Sequence, residues 1–122
     1  MTSRSDALAA VLERRGALIV NDDFRIHLGR WRRVLAAGIP SHLYVSFDRP
    51  GRRLVLRVPG LTDSPRPGEL RVEVHHRRTR TCIYLPAASL AAGRELCDLG
   101  VRVGSLLDVT YGVTHTTLRR IR

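Results

Sequence analysis

The sequence contains no lysine: its 21 basic residues are all arginine, set against 11 acidic ones. Aromatics are scarce, at 5%, and cysteine is limited to Cys82 and Cys97. No apolar run approaches the roughly 20 residues of a membrane-crossing helix. The opening "MTSRSDALAAVLERRG" lacks the continuous apolar region of a signal peptide. Each shortage excludes something. Two cysteines outside any CxxC spacing argue against a disulfide framework. Cys82 with His75 and His76 falls short of the four converging ligands of a structural zinc site, so no metal and no cofactor is expected. Few rings disfavour a single-strand or RNA groove, which stacks bases on aromatics. The chain has no G-x-S-x-G, no P-loop, no dinucleotide fingerprint and no carboxylate pair that spacing would converge, so catalysis is not expected. Asp22, Asp23, Asp48 and Asp63 fall in turns, where side-chain hydrogen bonds to the backbone account for them.

What is present is charge and pattern. The formal net charge is +10, a field that draws polyanions and raises affinity for nucleic acid. An arginine-only basic set also follows from GC-rich codon usage, so the residue type alone is no design for phosphate. At 122 residues, 43% of them apolar, the chain suits one domain spanning 1–122. The expected location is the cytoplasm, in association with the nucleoid, with no membrane partner.

Along the chain, Ser5 to Arg15 places apolar residues at 8, 11 and 12 and is closed by Gly16, which predicts a short N-terminal helix over 5–15. "ALIV" and "FRIHL" flank the turn-forming "NDD" and predict a hairpin. Trp31, Val34 and Leu35 form one apolar stripe, which predicts a two-turn helix over 30–37 that ends at Gly38, with Trp31 as a core anchor. "HLYVSF" and "LVLRV" alternate around "RPGRR", a second strand pair in whose basic run Arg57 reads as a solubility residue. Residues 59–69, "PGLTDSPRPGE", hold three prolines and read as a linker. Beyond it the order returns: "LRVEV", the basic turn "HHRRTR", "TCIYL", a helix-compatible run from Pro86 to Asp98, then "SLLDVTY" and "TTLRRI".

The chain thus reads as two strand-strand-helix-strand-strand repeats, over 17–58 and 70–122. Ile26 and Leu28 match Ile83 and Leu85 at one offset; Leu43, Val45, Phe47 and Leu54 match Leu107, Val109, Tyr111 and Leu118 at another. The change of offset falls in the helix and hinge, where length is most easily absorbed. Matches that keep the apolar face in phase across separate strands point to duplication.

"TCIYLP", a short helix and "LGVRVGSLLDV" together resemble the AbrB/SpoVT-type swapped-hairpin DNA-binding domain. That family's recurring pattern is G-R-hydrophobic-hydrophobic-I-P, a helix, then L-G-I-x-x-G-D. Leu85 and Pro86 stand at the I-P step, and Leu99, Gly100, Val101 and Gly104 at the hinge; Cys82 replaces the pattern's Arg and Ser105 its Asp. The first half keeps Arg25, has Gly29 in place of proline and only "AGIP" at the hinge. The resemblance covers residues 17–122. It implies a mainly β fold with short helices, a pseudo-twofold, cradle-loop type β-barrel that one chain completes alone, with swapped-hairpin and double-psi windings both open. It implies double-stranded DNA as partner, a role as transcriptional regulator or nucleoid-type protein, and contact through the hairpin loop and adjoining helix.

The DNA-contact set is then Arg25, Arg30, Arg32, Arg33, His75, His76, Arg77, Arg78 and Arg80. Alternation points Arg25 and His27 outward, with Cys82 and Tyr84 in the equivalent places. Like charges crowded in "HHRRTR" repel unless an anion relieves them. The competing accounts are a solvated helix face for Arg32 and Arg33, and a protein-interaction or self-assembly module whose strand edges pair with further copies into a homo-oligomer.

Overall fold

The structure, a computed structural model, describes residues 14–35, 37–77, 80–87 and 89–121. The predicted helix over 5–15 lies outside them up to residue 13, and Arg15 is not its last turn: it opens a strand. The strands are β1 (Arg15–Ile19), β2 (Arg25–His27), β3 (His42–Asp48), β4 (Arg53–Arg57), β5 (Leu70–Glu73), β6 (His75–Arg77), β7 (Arg80–Tyr84), β8 (Leu106–Tyr111) and β9 (His115–Arg120). One α-helix is described, α1 (Leu90–Asp98), together with 3-10 turns over Asp22–Phe24 and Gly29–Arg33. The fold is therefore mainly β, and every strand pairing is antiparallel. No described helix is long and apolar enough to cross a membrane.

The strands do not close into one barrel. They divide into a six-stranded sheet, ordered β1-β8-β9-β4-β3-β5, and a three-stranded sheet, ordered β2-β7-β6. The expected hairpin between "ALIV" and "FRIHL" is absent for the same reason. Asp23 and Phe24 take left-handed backbone, at φ 62° and 58°, and the turn they make sends β1 into the large sheet and β2 into the small one. β1 pairs with β8, setting Leu18 opposite Leu107, while β2 pairs with β7, setting Ile26 opposite Ile83. β5 likewise leaves β6 and pairs with β3, setting Val72 opposite Leu43. At the centre of the large sheet β4 meets β9 with Leu54 opposite Leu118.

The two sheets share one core. Leu43, Val45, Leu54, Leu56, Leu107, Val109 and Leu118 from the large sheet join Ile26, Leu28, Ile83, Leu85 and the helix residue Leu96 in a single buried cluster. Each such side chain contributes about 1.5–3 kcal/mol on leaving water. Trp31 is fully buried, as its place on the apolar stripe predicts, and its indole Nε1 donates to the Gly112 carbonyl at 2.7 Å. The run that carries it is a 3-10 turn over Gly29–Arg33 rather than a two-turn α-helix. Three arginines within five residues leave one deep anchor, and one anchor fixes one turn.

α1 is delimited by its ends. Ser89 Oγ accepts from the Ala92 amide at 3.1 Å, capping the N-terminus. At the other end Gly100 is left-handed, at φ 73°; its amide donates to Cys97, and the Val101 amide donates to Leu96 at 2.9 Å. Those two bonds make a Schellman cap, and Leu96 and Val101 supply its apolar contact.

Residues 59–69 form no regular element, as their prolines require, but they are fastened to the sheet. Arg57, expected as a solubility residue, is 4% exposed. Its Nε and Nη2 donate to Glu69 at 2.7 Å each, Nη1 pairs with Asp63, and Nη2 reaches the Ser64 carbonyl at 3.2 Å. The guanidinium lies over the Tyr44 ring, 4.8 Å from its centroid. A cation under a loop is tolerable because nearly every donor is used. The Arg57 guanidinium holds Asp63 and Glu69 below the usual carboxylate range, chiefly by donating hydrogen bonds to them.

Candidate nucleic-acid interface

The small sheet displays the residues that alternation assigns to the surface. β2 contributes Arg25 and His27, which sit opposite Tyr84 and Cys82 of β7. β6 then sets His75 opposite Cys82 and Arg77 opposite Arg80. Residues directly opposite on antiparallel strands share a face, so one face of β2-β7-β6 gathers Arg25, His27, His75, Arg80, Cys82 and Tyr84, with Arg77 in register. "HHRRTR", expected as a turn, is half strand: His75–Arg77 is β6, and Arg78 lies outside the described residues.

Electrostatics on this face is one-sided. His27 is held below the ordinary imidazole value, first by burial and then by the positive fields of Arg25 and Arg80. Among the described residues, neither arginine has a carboxylate within ion-pairing distance. Arg25 Nε is shut off from water yet has no hydrogen-bond acceptor among the described residues. The His75 and Tyr84 rings meet nearly perpendicular, with centroids 5.2 Å apart. Cys82, read as an outward residue, is buried instead. It occupies the central strand between His27 and His75, and a thiol is shorter than the imidazoles on either side.

The remaining predicted contacts go elsewhere. Arg32 donates from Nη2 to Thr81 Oγ1 at 2.7 Å, and His76 Nδ1 lies 3.2 Å from the same hydroxyl. Thr81 is buried and opposes His76 in the register, so Arg32 and His76 belong to the reverse side of the sheet. Arg30 is directed toward Gly16 and Tyr111 of the large sheet; a methyl added at Gly16 would sit 3.0 Å from its Nη1. Arg33 is exposed on the 3-10 turn. Of the nine positions, Arg25, His75 and Arg80 share one face with Arg77 in register, Arg32 and His76 belong to its reverse, Arg30 and Arg33 lie on the 3-10 turn away from that face, and Arg78 lies outside the described residues. His27 was not in the predicted set, although the same alternation that selects Arg25 selects it.

No family model, curated protein or solved structure matches this chain.

Asp48 pairs with Arg53, Glu95 and Asp98 with Arg49, Asp63 and Glu69 with Arg57, Glu73 with Arg71, and Asp108 with Arg15. None of these seven carboxylates pairs with an arginine of the small sheet; Asp22 and Asp23 stand in the 3-10 turn directly before β2. Among the described residues no group of three His, Cys, Asp or Glu side chains converges on a metal position.

Proposed function

We propose that this protein binds double-stranded DNA through the exposed face of β2-β7-β6, as a transcriptional regulator or nucleoid-type protein. The observation that carries the reading is the placement of Arg25 and Arg80 on one strand face, on either side of His27, with no carboxylate within ion-pairing distance of either among the described residues. A phosphate arriving from solvent would offset the two positive fields that act on His27. Arg suits it, since its planar fork meets phosphate or a guanine edge in two parallel bonds.

The swapped-hairpin reading of the fold belongs to the same proposal. Its support is the register. Ile26 and Ile83, matched in the sequence, stand directly opposite each other, as do the matched Leu54 and Leu118. The order β1-β8-β9-β4-β3-β5 also reads the same from either edge when strands of one half are exchanged for their matches in the other. A twofold relation between two repeats requires both features. Each half lends a strand to the other, β1 to β8 and β5 to β3, because one repeat alone leaves its sheet with open edges.

The test is a salt titration of binding to a random duplex. Each arginine of this face that neutralises a phosphate contributes about −0.9 to the slope of log affinity against log salt. Arg25→Ala with Arg80→Ala is expected to flatten that slope by about 2 units. A slope unchanged by the pair removes this face from the interface. A second reading, self-assembly, is favoured by the exposed cross-strand pair Ile19 and Leu106, 55% and 41% exposed, at the open β1 edge. Concentration-dependent sedimentation that Ile19→Arg abolishes, without duplex retention, would establish it in place of DNA binding.

A further inference from the structure

At the far end of the large sheet, the β3–β4 turn, the end of β9 and the segment after α1 enclose a cleft of about 550 Å³. Its walls are Arg52, Arg119 and Arg120 together with Pro50, Leu99 and Ile121. It shares no residue with the β2-β7-β6 face. The neighbouring carboxylates are already engaged: Asp48 holds Arg53 at 2.7 Å, and Asp98 holds Arg49 at 2.9 Å. Arg52, Arg119 and Arg120 make no ion pair among the described residues.

Two of the three are held in place before any ligand arrives. Arg119 donates from Nη2 to the Gly51 carbonyl at 2.9 Å, which limits the side-chain entropy that binding would otherwise cost. Arg120 lies across Gly100, where a methyl would stand 2.8 Å from its Nη1, so the glycine required by the helix cap also makes room for the guanidinium. Arg52 sits at the turn with left-handed backbone, φ 52°, a conformation that a non-glycine residue seldom adopts. Local strain of this kind concentrates where a side chain is needed in a set place.

From this arrangement we infer that the cleft binds a free organic oligophosphate, its phosphate groups on Arg52, Arg119 and Arg120 and its apolar portion against Pro50, Leu99 and Ile121. The size lies within the range of small-ligand sites, and three guanidinium forks, two of them already held in place, suit two or three linked phosphates.

Calorimetric titration of the full chain with inorganic tripolyphosphate and with adenosine triphosphate tests it. Saturable binding at 0.1 M salt is expected, tighter for adenosine triphosphate because the inorganic probe leaves the apolar wall empty. Arg119→Ala is expected to weaken both at least tenfold. Arg52→Gly should do the same with folding preserved, since glycine relaxes the left-handed position, so a failure of Arg119→Ala to fold still leaves a decisive variant. Arg25→Ala with Arg80→Ala should leave both titrations unchanged. Absence of saturable binding, or equal loss in the Arg25 and Arg80 double variant, overturns the inference. So does a duplex that displaces tripolyphosphate one for one and loses the same affinity with Arg52→Gly, since the cleft would then be a DNA-backbone contact.

Discussion

At the scale of the residue, two side chains carry opposite lessons about charge. Arg57 is buried with its partners supplied, and truncating it strands Glu69, whose side chain is 8% exposed. Arg57→Ala is expected to lower unfolding free energy by about 2 kcal/mol or more in urea denaturation, whereas Arg57→Met should cost less because it fills the space over Tyr44 without a charge. The pH dependence follows from the same contact. Glu69 and Asp63 have native pKa values lowered by hydrogen bonds from Arg57. Their contribution is therefore full above the ordinary carboxylate value of about 4 and is lost as pH falls through the lower native values. Thermal midpoints between about pH 6 and pH 3 should drop less steeply in Arg57→Met than in the parent.

His27 is the reverse case, a titratable group held neutral by burial and by two cations. A phosphate on Arg25 and Arg80 would offset those fields and raise the imidazole pKa, so DNA binding takes up a proton. Affinity is expected to rise as pH falls from about 8 to 6, by no more than tenfold per unit for one proton. His27→Gln should remove that dependence while leaving the salt slope in place. Affinity of the parent that is flat with pH would show that no phosphate approaches Arg25 and Arg80.

At the scale of the element, the helix shows how local chemistry sets boundaries. Ser89→Ala removes the one side-chain acceptor at the start of α1 and is expected to cost about 1 kcal/mol. Gly100→Ala faces two penalties, the left-handed backbone and the Arg120 side chain, and should cost more than Ser89→Ala in chemical denaturation. Equal costs would mean that Arg120 moves aside freely. The 3-10 turn over Gly29–Arg33 makes the complementary point. Its apolar stripe has the spacing of a helix, yet the chain stops after one turn once Trp31 has reached the core and its indole has found the Gly112 carbonyl.

At the scale of the whole molecule, charge and topology are linked. The +10 is not spread evenly in effect, because seven of the eleven carboxylates are engaged by Arg15, Arg49, Arg53, Arg57 and Arg71. What brings Arg25 and Arg80 to either side of His27 is the pairing of β2 with β7, between residues more than fifty positions apart. The centre of the large sheet depends on a similar contact, and Leu118→Ala, which empties a fully buried site opposite Leu54, is expected to cost about 2–5 kcal/mol. Because that substitution lies in the shared core, it should weaken stability without altering the salt slope of binding.

Much of this was readable from residue order. Period-two alternation located β3, β4, β8 and β9 and chose the buried partners Leu43, Val45, Leu54, Leu107, Val109 and Leu118, since a strand with one face in the core must place apolar residues at every second position. Prolines marked 59–69 as irregular, and Trp31 showed itself as an anchor by its stripe. Local pattern carries no information about which strand will be a neighbour, however. Only the tertiary structure decided that β1 and β2 part company, that the strands make two sheets instead of a closed barrel, and that Arg57 is a buried clasp. Hydrogen-bonded pairing and ion pairing are satisfied by whatever lies alongside in space, and residues distant in sequence are brought alongside only when the core closes.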